Sequence, residues 1–504
     1  MLLIPAFCSC LIGLVAAADE TSTAFPLDPL SAGEITLAVQ VLRAEGKVTE
    51  SSRFSLIALR EPAKAEALNF KPGEPMRREA FAVVYERSLN RTFEAVVDLR
   101  KRSPLSWKEI PGVQPIMMNE ELSLVTSIVR NDPQWQAAMR KRGITDFESV
   151  LIDAWAAGSF GFADEADKRV ARGIPYWRGK GKNQYGRPIE GIYAYVDLNA
   201  KRIIRIVDTG IVPLTTDNSE LDPEAIGRQR VAPKPLQVIQ PAGADFEING
   251  HEIRWQNWRF RYALHPREGL VLHTISYEDQ GRARPVLYRG SLSEMVVPYG
   301  DPGEGWFFRN AFDEGEYGLG PNIFPLEAGT DLPGNATLLN AVMADETGKP
   351  VEKPRVIALY ERDGGVLWKH VDYVTNSNQS RRARQLVIGC FATIGNYDYG
   401  FNWVFHQDGA LEVEVLLTGA MSVKGVAAKV EADHTHGNGS AISYGHLVAP
   451  NIEAVHHQHF FNFRLDLDVD GSGNSVVEQN TESLSSGPHN PYHNAWVLPT
   501  GFLK

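Results

Sequence analysis

Cysteine is nearly absent from this chain of 504 residues, which holds only Cys8, Cys10 and Cys390. The first two lie in the opening stretch MLLIPAFCSCLIGLVAAAD, an apolar core followed by small residues. That pattern predicts a secretory signal over residues 1–18, cleaved near Ala16–Ala18. Its removal leaves Cys390 alone and excludes an intrachain disulfide framework. Long hydrophobic runs are lacking as well. No later segment reaches the roughly 18 apolar residues of a membrane helix, so the expectation is a secreted protein, periplasmic or extracellular, with no membrane partner. An excess of basic residues is also missing. Lys and Arg number 51 against 62 Asp and Glu, a net charge of −11, and a nucleic-acid partner is excluded because phosphate binding needs a basic face.

Turn formers are abundant, with 44 Gly and 30 Pro, which favours many short strands. Residues 28–46 read as a helix, opened by the Ser31–Glu34 capping box, striped by Ile35, Ala38, Val39 and Leu42, and closed at Gly46. Strands follow at 53–60 and 92–99. A second unit opens with Leu122–Val129, and Asp132-Pro133 starts a further helix that stops at Gly143. Strands then fall at Gly191–Val196 and Arg202–Val207. Five Pro between 211 and 242 mark a linker. Beyond it, Trp258, Phe260, Tyr262 and Leu264 alternate with polar residues, and Phe401–Phe405 and Leu411–Leu416 flank the turn Gln407-Asp408-Gly409. The fold class expected is α+β: small units over 24–118 and 120–232, then a large antiparallel β-sandwich over 240–504.

Histidine is unevenly spread, nine of 13 lying between His406 and His493. In His457-Gln458-His459, which precedes the strand-like Phe460–Leu465, residues i and i+2 face one way, so two imidazoles can chelate one copper or zinc ion. The alternative is an ordinary surface pair. His434 and His436 sit in a polar segment and read as a solvated loop. Asn-X-Ser/Thr sequons begin at Asn90, Asn335, Asn378 and Asn438, and matter only in a glycosylating host.

The octapeptide Thr393-Ile394-Gly395-Asn396-Tyr397-Asp398-Tyr399-Gly400 is by itself a turn beside packed tyrosines. It resembles the cofactor motif of the copper-containing amine oxidases, whose first motif tyrosine, Tyr397 here, becomes topaquinone. Other segments are similar to that family in order and spacing: Tyr185–Asp197, Asn249–Asp301 with Met295–Pro302, Phe312–Gly318, and His457–Asp466. The resemblance implies copper on His457 and His459 and a quinone derived from Tyr397. A cation beside a phenol favours the phenolate, which suits oxidation of that ring by O₂. It implies that Asp313 removes a proton from the amine carbon, which requires a carboxyl whose pKa is raised by desolvation. Tyr299 would fix the ring and Asn396 support its orientation. Asp466 and Asp468, with the Leu467 carbonyl, resemble part of a calcium site. The implied reaction converts a primary amine, O₂ and water to aldehyde, ammonia and hydrogen peroxide, in a homodimer joined by β-hairpin arms, one of them supplied by Trp258–Arg289.

Two departures from the family stand out. The third copper histidine of the family lies well over a hundred residues beyond the His-X-His pair, whereas the chain has 45 residues after His459. The expectation is therefore an incomplete sandwich with exposed edges, and the competing reading is a catalytically impaired, truncated relative lacking the third ligand. His489 and His493 are the substitutes available. Many relatives also carry a disulfide within the region 325–360, which has no Cys here. Ala311 often corresponds to an aromatic gate, and its methyl group predicts a wider channel open to aryl-alkyl amines.

Overall fold

The computed structural model describes residues 25–217, 219–431 and 444–502. The signal-like segment with Cys8 and Cys10, the pair His434 and His436, and the sequon at Asn438 lie outside the described residues. The architecture is mostly β, with two smaller N-terminal units and one large β unit.

In the first unit the helix Ala32–Ala44 packs on an antiparallel sheet of four strands in sequence order, Ser52–Leu59, Glu79–Glu86, Arg91–Asp98 and Ser103–Ile110. The capping box forms: the Ser31 hydroxyl accepts from the Glu34 N–H, and Glu34 accepts from the Ser31 N–H. Ile35, Ala38, Val39 and Leu42 are buried against Ala80, Ala82, Val84 and Val97. The second unit repeats the plan. Helices Asn119–Arg130 and Pro133–Lys141, the latter capped by Asp132, cover a four-stranded sheet built from Val150–Ala156, Val170–Trp177, Ile192–Asp197 and Arg202–Asp208. Among the described residues, the Pro-rich stretch that follows carries no regular element between Asp208 and Phe246.

The large unit stacks two antiparallel sheets. One holds seven strands, and its longest, Arg282–Pro298, is the junction: it pairs with Gly269–Asp279, with Phe460–Leu467 and with Asn310–Phe312. The other is a five-stranded meander over Thr337–Ala344, Pro350–Asp372, Ser377–Ile394, Tyr397–His406 and Leu411–Gly419. Between them lies one aromatic core in which Phe260 stacks on Phe405 with centroids 4.2 Å apart, closed by Trp258, Leu272, Ile388 and Trp403. The alternation read along Trp258–His265 is thus the inward face of this sheet. It follows that Trp258–Arg289 is not an arm, because Trp258, Phe260 and Leu272 are core residues. The hairpin that leaves the body is instead Pro350–Asp372 with Ser377–Ile394, whose distal part exposes Val366, Trp368, Tyr373 and Val374. Strand Phe460–Leu467 exposes Phe460, Leu465 and Leu467.

Candidate active site

Three backbone features bring the predicted residues together. Strands Ser377–Ile394 and Tyr397–His406 pair Ile394 with Tyr397, leaving a two-residue turn, Gly395-Asn396. Gly395 has φ +59°, and Asn396 is not among the positive-φ residues, which is the pattern of a type II′ hairpin turn with glycine first. The turn reading of this segment therefore holds, and it throws Tyr397 to the start of the strand. The Asn396 side chain donates to the Ala420 carbonyl at 2.6 Å, just beyond the strand Leu411–Gly419. Secondly, Tyr299 and His457 form an isolated antiparallel bridge just beyond the paired strands 282–298 and 460–467. Finally, strand Asn310–Phe312 delivers Asp313 at the first turn of the short helix Asp313–Glu316.

The Tyr397 hydroxyl and His457 Nε2 are 3.0 Å apart, and the Ser422 N–H donates to the same hydroxyl at 3.2 Å. His457 Nδ1 lies 2.9 Å from the Val455 carbonyl, which can only accept. That contact places a proton on Nδ1 and turns Nε2 toward Tyr397. The His459 ring is 5.0 Å from the His457 ring and 5.2 Å from the Tyr397 ring, and its Nδ1 is 3.2 Å from the Tyr399 hydroxyl. Burial, and then the neighbouring His457, hold His459 down at about 4, so it is neutral near pH 7. Tyr299 stacks on His457 with centroids 4.7 Å apart. Its phenol is raised well above its ordinary value by burial and by the Tyr397 hydroxyl it faces.

Tyr299, Tyr397 and Tyr399 close one side of a cavity of about 400 Å³. Asp313 lines it and is 3% exposed. Burial, reinforced by Glu316 and Glu294, pushes Asp313 up to about 8. Its acidic neighbours are anchored: Glu294 pairs with Arg267 at 3.0 Å and accepts the Glu314 N–H at 3.0 Å. Ala311 stands on the cavity wall, as a small residue there requires. A buried carboxyl with a raised pKa near an ordered phenol and two imidazoles is an arrangement suited to proton abstraction at a carbon next to a redox group.

The donor set tests what can be held. Two imidazoles beside a phenol suit copper. Among the described residues no three His, Cys, Asp or Glu side chains converge on one point, so neither His489 nor His493 completes the set. Both are exposed around the bend 487–494, away from the pair. The proposed calcium residues tell a different story. Lys64 Nζ lies 2.7 Å from Asp466 and 2.6 Å from Asp468, so this acidic pair already holds an ammonium from the first unit. A divalent cation there must displace it, and Leu467 is turned to solvent beside it.

The sequence reading missed part of the wall. Leu151, Asp153, Trp155 and Tyr185 of the second unit line the same cavity, together with Tyr317. A signal was present: in Val150–Ala156 the residues Val150, Ile152 and Ala154 face the unit's own core, while a carboxylate and an indole share the opposite face.

Comparison with known proteins gives three family matches, described as "Copper amine oxidase, enzyme domain" over residues 247–504, "Copper amine oxidase, N3 domain" over 120–222 and "AGAO-like N2 domain" over 31–103. The chain is 38% identical to a primary amine oxidase of Klebsiella aerogenes over 92% of its own length and 62% of that protein. It is 38% identical to a primary amine oxidase of Arthrobacter sp. (strain P1) over 95% of its length and 72% of that protein. Among solved structures, a copper-containing benzylamine oxidase from Hansenula polymorpha superposes with a TM-score of 0.85 at 27% identity, covering 95% of this chain and 76% of that one. Pichia pastoris lysyl oxidase shares the fold, with a TM-score of 0.74 at 18% identity.

Proposed function

Since the chain belongs to the copper amine oxidase family, we propose that it oxidises primary amines with O₂ and water to aldehyde, ammonia and hydrogen peroxide. Tyr397 is the proposed precursor of topaquinone, and His457 and His459 the proposed copper ligands. One observation supports this most: the Tyr397 hydroxyl sits 3.0 Å from His457 Nε2, beside a cavity lined by the buried carboxyl Asp313.

The quinone and copper supply the electron sink and the route to O₂ when present. The chain's own residues do the rest. Asp313, desolvated and flanked by Glu316 and Glu294, takes the proton from the amine carbon, and its raised pKa matches it to that task near neutral pH. Tyr299, stacked on His457, and the Ser422 N–H hold the oxygen of residue 397 in place. The II′ turn at Gly395-Asn396 fixes where that ring begins. Calcium has no part in the proposal, because Lys64 occupies the acidic pair. The protruding hairpin 350–394, with Trp368, Tyr373 and Val374 exposed, is the proposed contact for a homodimer. Secretion remains the proposal for the chain's destination.

The test is aerobic turnover of a primary amine by copper-loaded protein. Equal yields of aldehyde and hydrogen peroxide, both abolished by phenylhydrazine and by Tyr397→Phe, are expected. Copper-loaded protein that releases neither product overturns the proposal.

A further inference from the structure

Two further histidines meet on the outer surface, next to the proposed copper pair. His446 stands in strand Gly445–Ala449, and His456 directly follows its partner strand, Ile452–Val455. His446 lies opposite Ala454 in that pairing, and the His456 N–H donates to the Tyr444 carbonyl at 2.8 Å. The two histidines are therefore diagonal neighbours across an antiparallel ladder, a spacing that long side chains bridge. Their ring centroids are 4.8 Å apart and the planes are inclined at 64°. The proposed reaction leaves this pair without a task.

The same molecule supplies a comparison. The rings of His457 and His459 are 5.0 Å apart and inclined at 66°. The outer pair thus repeats the arrangement of the inner one almost unchanged. An imidazole nitrogen sits about 2.0 Å from an ion it holds, which puts the ring centroid about 3.2 Å from that ion. Two rings 4.8 Å apart then subtend about 100° at a shared ion, between the right angle of a tetragonal site and the tetrahedral angle. Nothing competes for the nitrogens. Among the described residues neither ring makes a hydrogen bond or an ion pair, whereas His457 Nδ1 is engaged by the Val455 carbonyl. Both side chains are exposed, so an ion reaches them from solvent without any opening of the fold. The backbone that carries His456 is held: the Gly300 N–H donates to its carbonyl at 2.8 Å, and the next residue, His457, bridges to Tyr299. Successive residues of an extended chain point to opposite sides, so His456 turns outward where His457 turns in toward Tyr397.

From this geometry we infer that His446 and His456 form a second transition-metal site, an exposed chelate of two imidazoles for a divalent ion of the copper, nickel and zinc class. Copper(II) binds such nitrogen donors most tightly of these. Calcium and magnesium require several oxygen donors, which the pair does not offer. No third His, Cys, Asp or Glu converges here among the described residues, so water fills the remaining positions and the ion stays open to exchange. The inference goes beyond amine oxidation and does not depend on it.

The test is calorimetric titration of the full, metal-free chain carrying His457→Ala, which takes the inner pair out of the reading. The probes are copper(II), nickel(II) and calcium. Copper should bind at a single class of site, nickel more weakly, and calcium with no detectable heat. His446→Asn or His456→Asn, added to that chain, should weaken copper binding at least about tenfold. His489→Asn, at an exposed histidine elsewhere, should leave it unchanged. Absence of copper binding in the His457→Ala chain overturns the inference, as does undiminished binding in both Asn variants or an equal loss in His489→Asn. Should His457→Ala fail to fold, the same variants in the otherwise unaltered chain decide: one class of bound copper must vanish with His446→Asn, and its persistence counts against. No turnover enters these readings, so a chain that never oxidises amines but holds this ion refutes only the reaction, and an active chain without it refutes only this inference.

Discussion

Replacing Asp313 by Asn removes the one buried carboxyl assigned to proton transfer, and two separate quantities should respond. Asp313 is raised from 3.8 to about 8, chiefly by burial. About a tenth of it is therefore ionised near pH 7, and kcat/KM for amine oxidation should rise about tenfold per pH unit until it levels above roughly pH 8. Asp313→Asn should abolish that limb along with turnover. The second response needs no activity. A carboxyl whose folded pKa exceeds its unfolded one keeps its proton longer when folded, so it favours the fold at low pH and that advantage fades as pH rises through the folded value. Each unit is worth about 1.4 kcal/mol, so between about pH 5 and pH 7 this group alone should cost the native state about 2.5 kcal/mol. Denaturant unfolding of the metal-free protein at both pH values measures it. The Asn variant should lose that much less stability over the interval. Parallel profiles for the two proteins would refute the desolvation argument.

Three further outcomes are expected. Millimolar calcium should leave the melting temperature of the unaltered protein unchanged, because Lys64 already bridges Asp466 and Asp468. Lys64→Met should lose roughly 1–3 kcal/mol and become stabilised by calcium; a calcium response without the substitution contradicts this. Gly395→Ala meets open space but a φ of +59°, so its cost of roughly 1–2 kcal/mol should be conformational and should appear as faster unfolding or a lower denaturant midpoint. Sedimentation of the unaltered protein should give a dimer, and charge placed at Trp368 and Tyr373 should shift it to monomer; a monomer at the outset removes that role from the hairpin.

Local signals carried most of what the sequence revealed. The Ser31–Glu34 box, the Asp132 helix start and the turn before Tyr397 are short-range rules, and each appears as read. The His-X-His pair does face one way, toward Tyr397, because the spacing of alternate residues is local too. What stayed hidden depends on contacts distant along the chain. Lys64 meets Asp466 and Asp468 some 400 residues away, and no local pattern announces an ammonium where a divalent cation was expected. Asp153 reaches the cavity because the second unit forms one of its walls, so a carboxylate in an apolar strand was visible while its destination was not. The alternation in Trp258–His265 identified a strand, but only the pairing of sheets shows that its aromatic face meets Phe405 rather than a partner chain.

The central claim is that the ring of Tyr397 is remade beside the imidazoles of His457 and His459. Peptide mass analysis after aerobic copper loading reads this directly. The peptide carrying Tyr397 should gain two oxygen atoms and lose two hydrogens, and should stay unmodified in His457→Ala. An unaltered Tyr397 in protein that has bound copper under air contradicts the account.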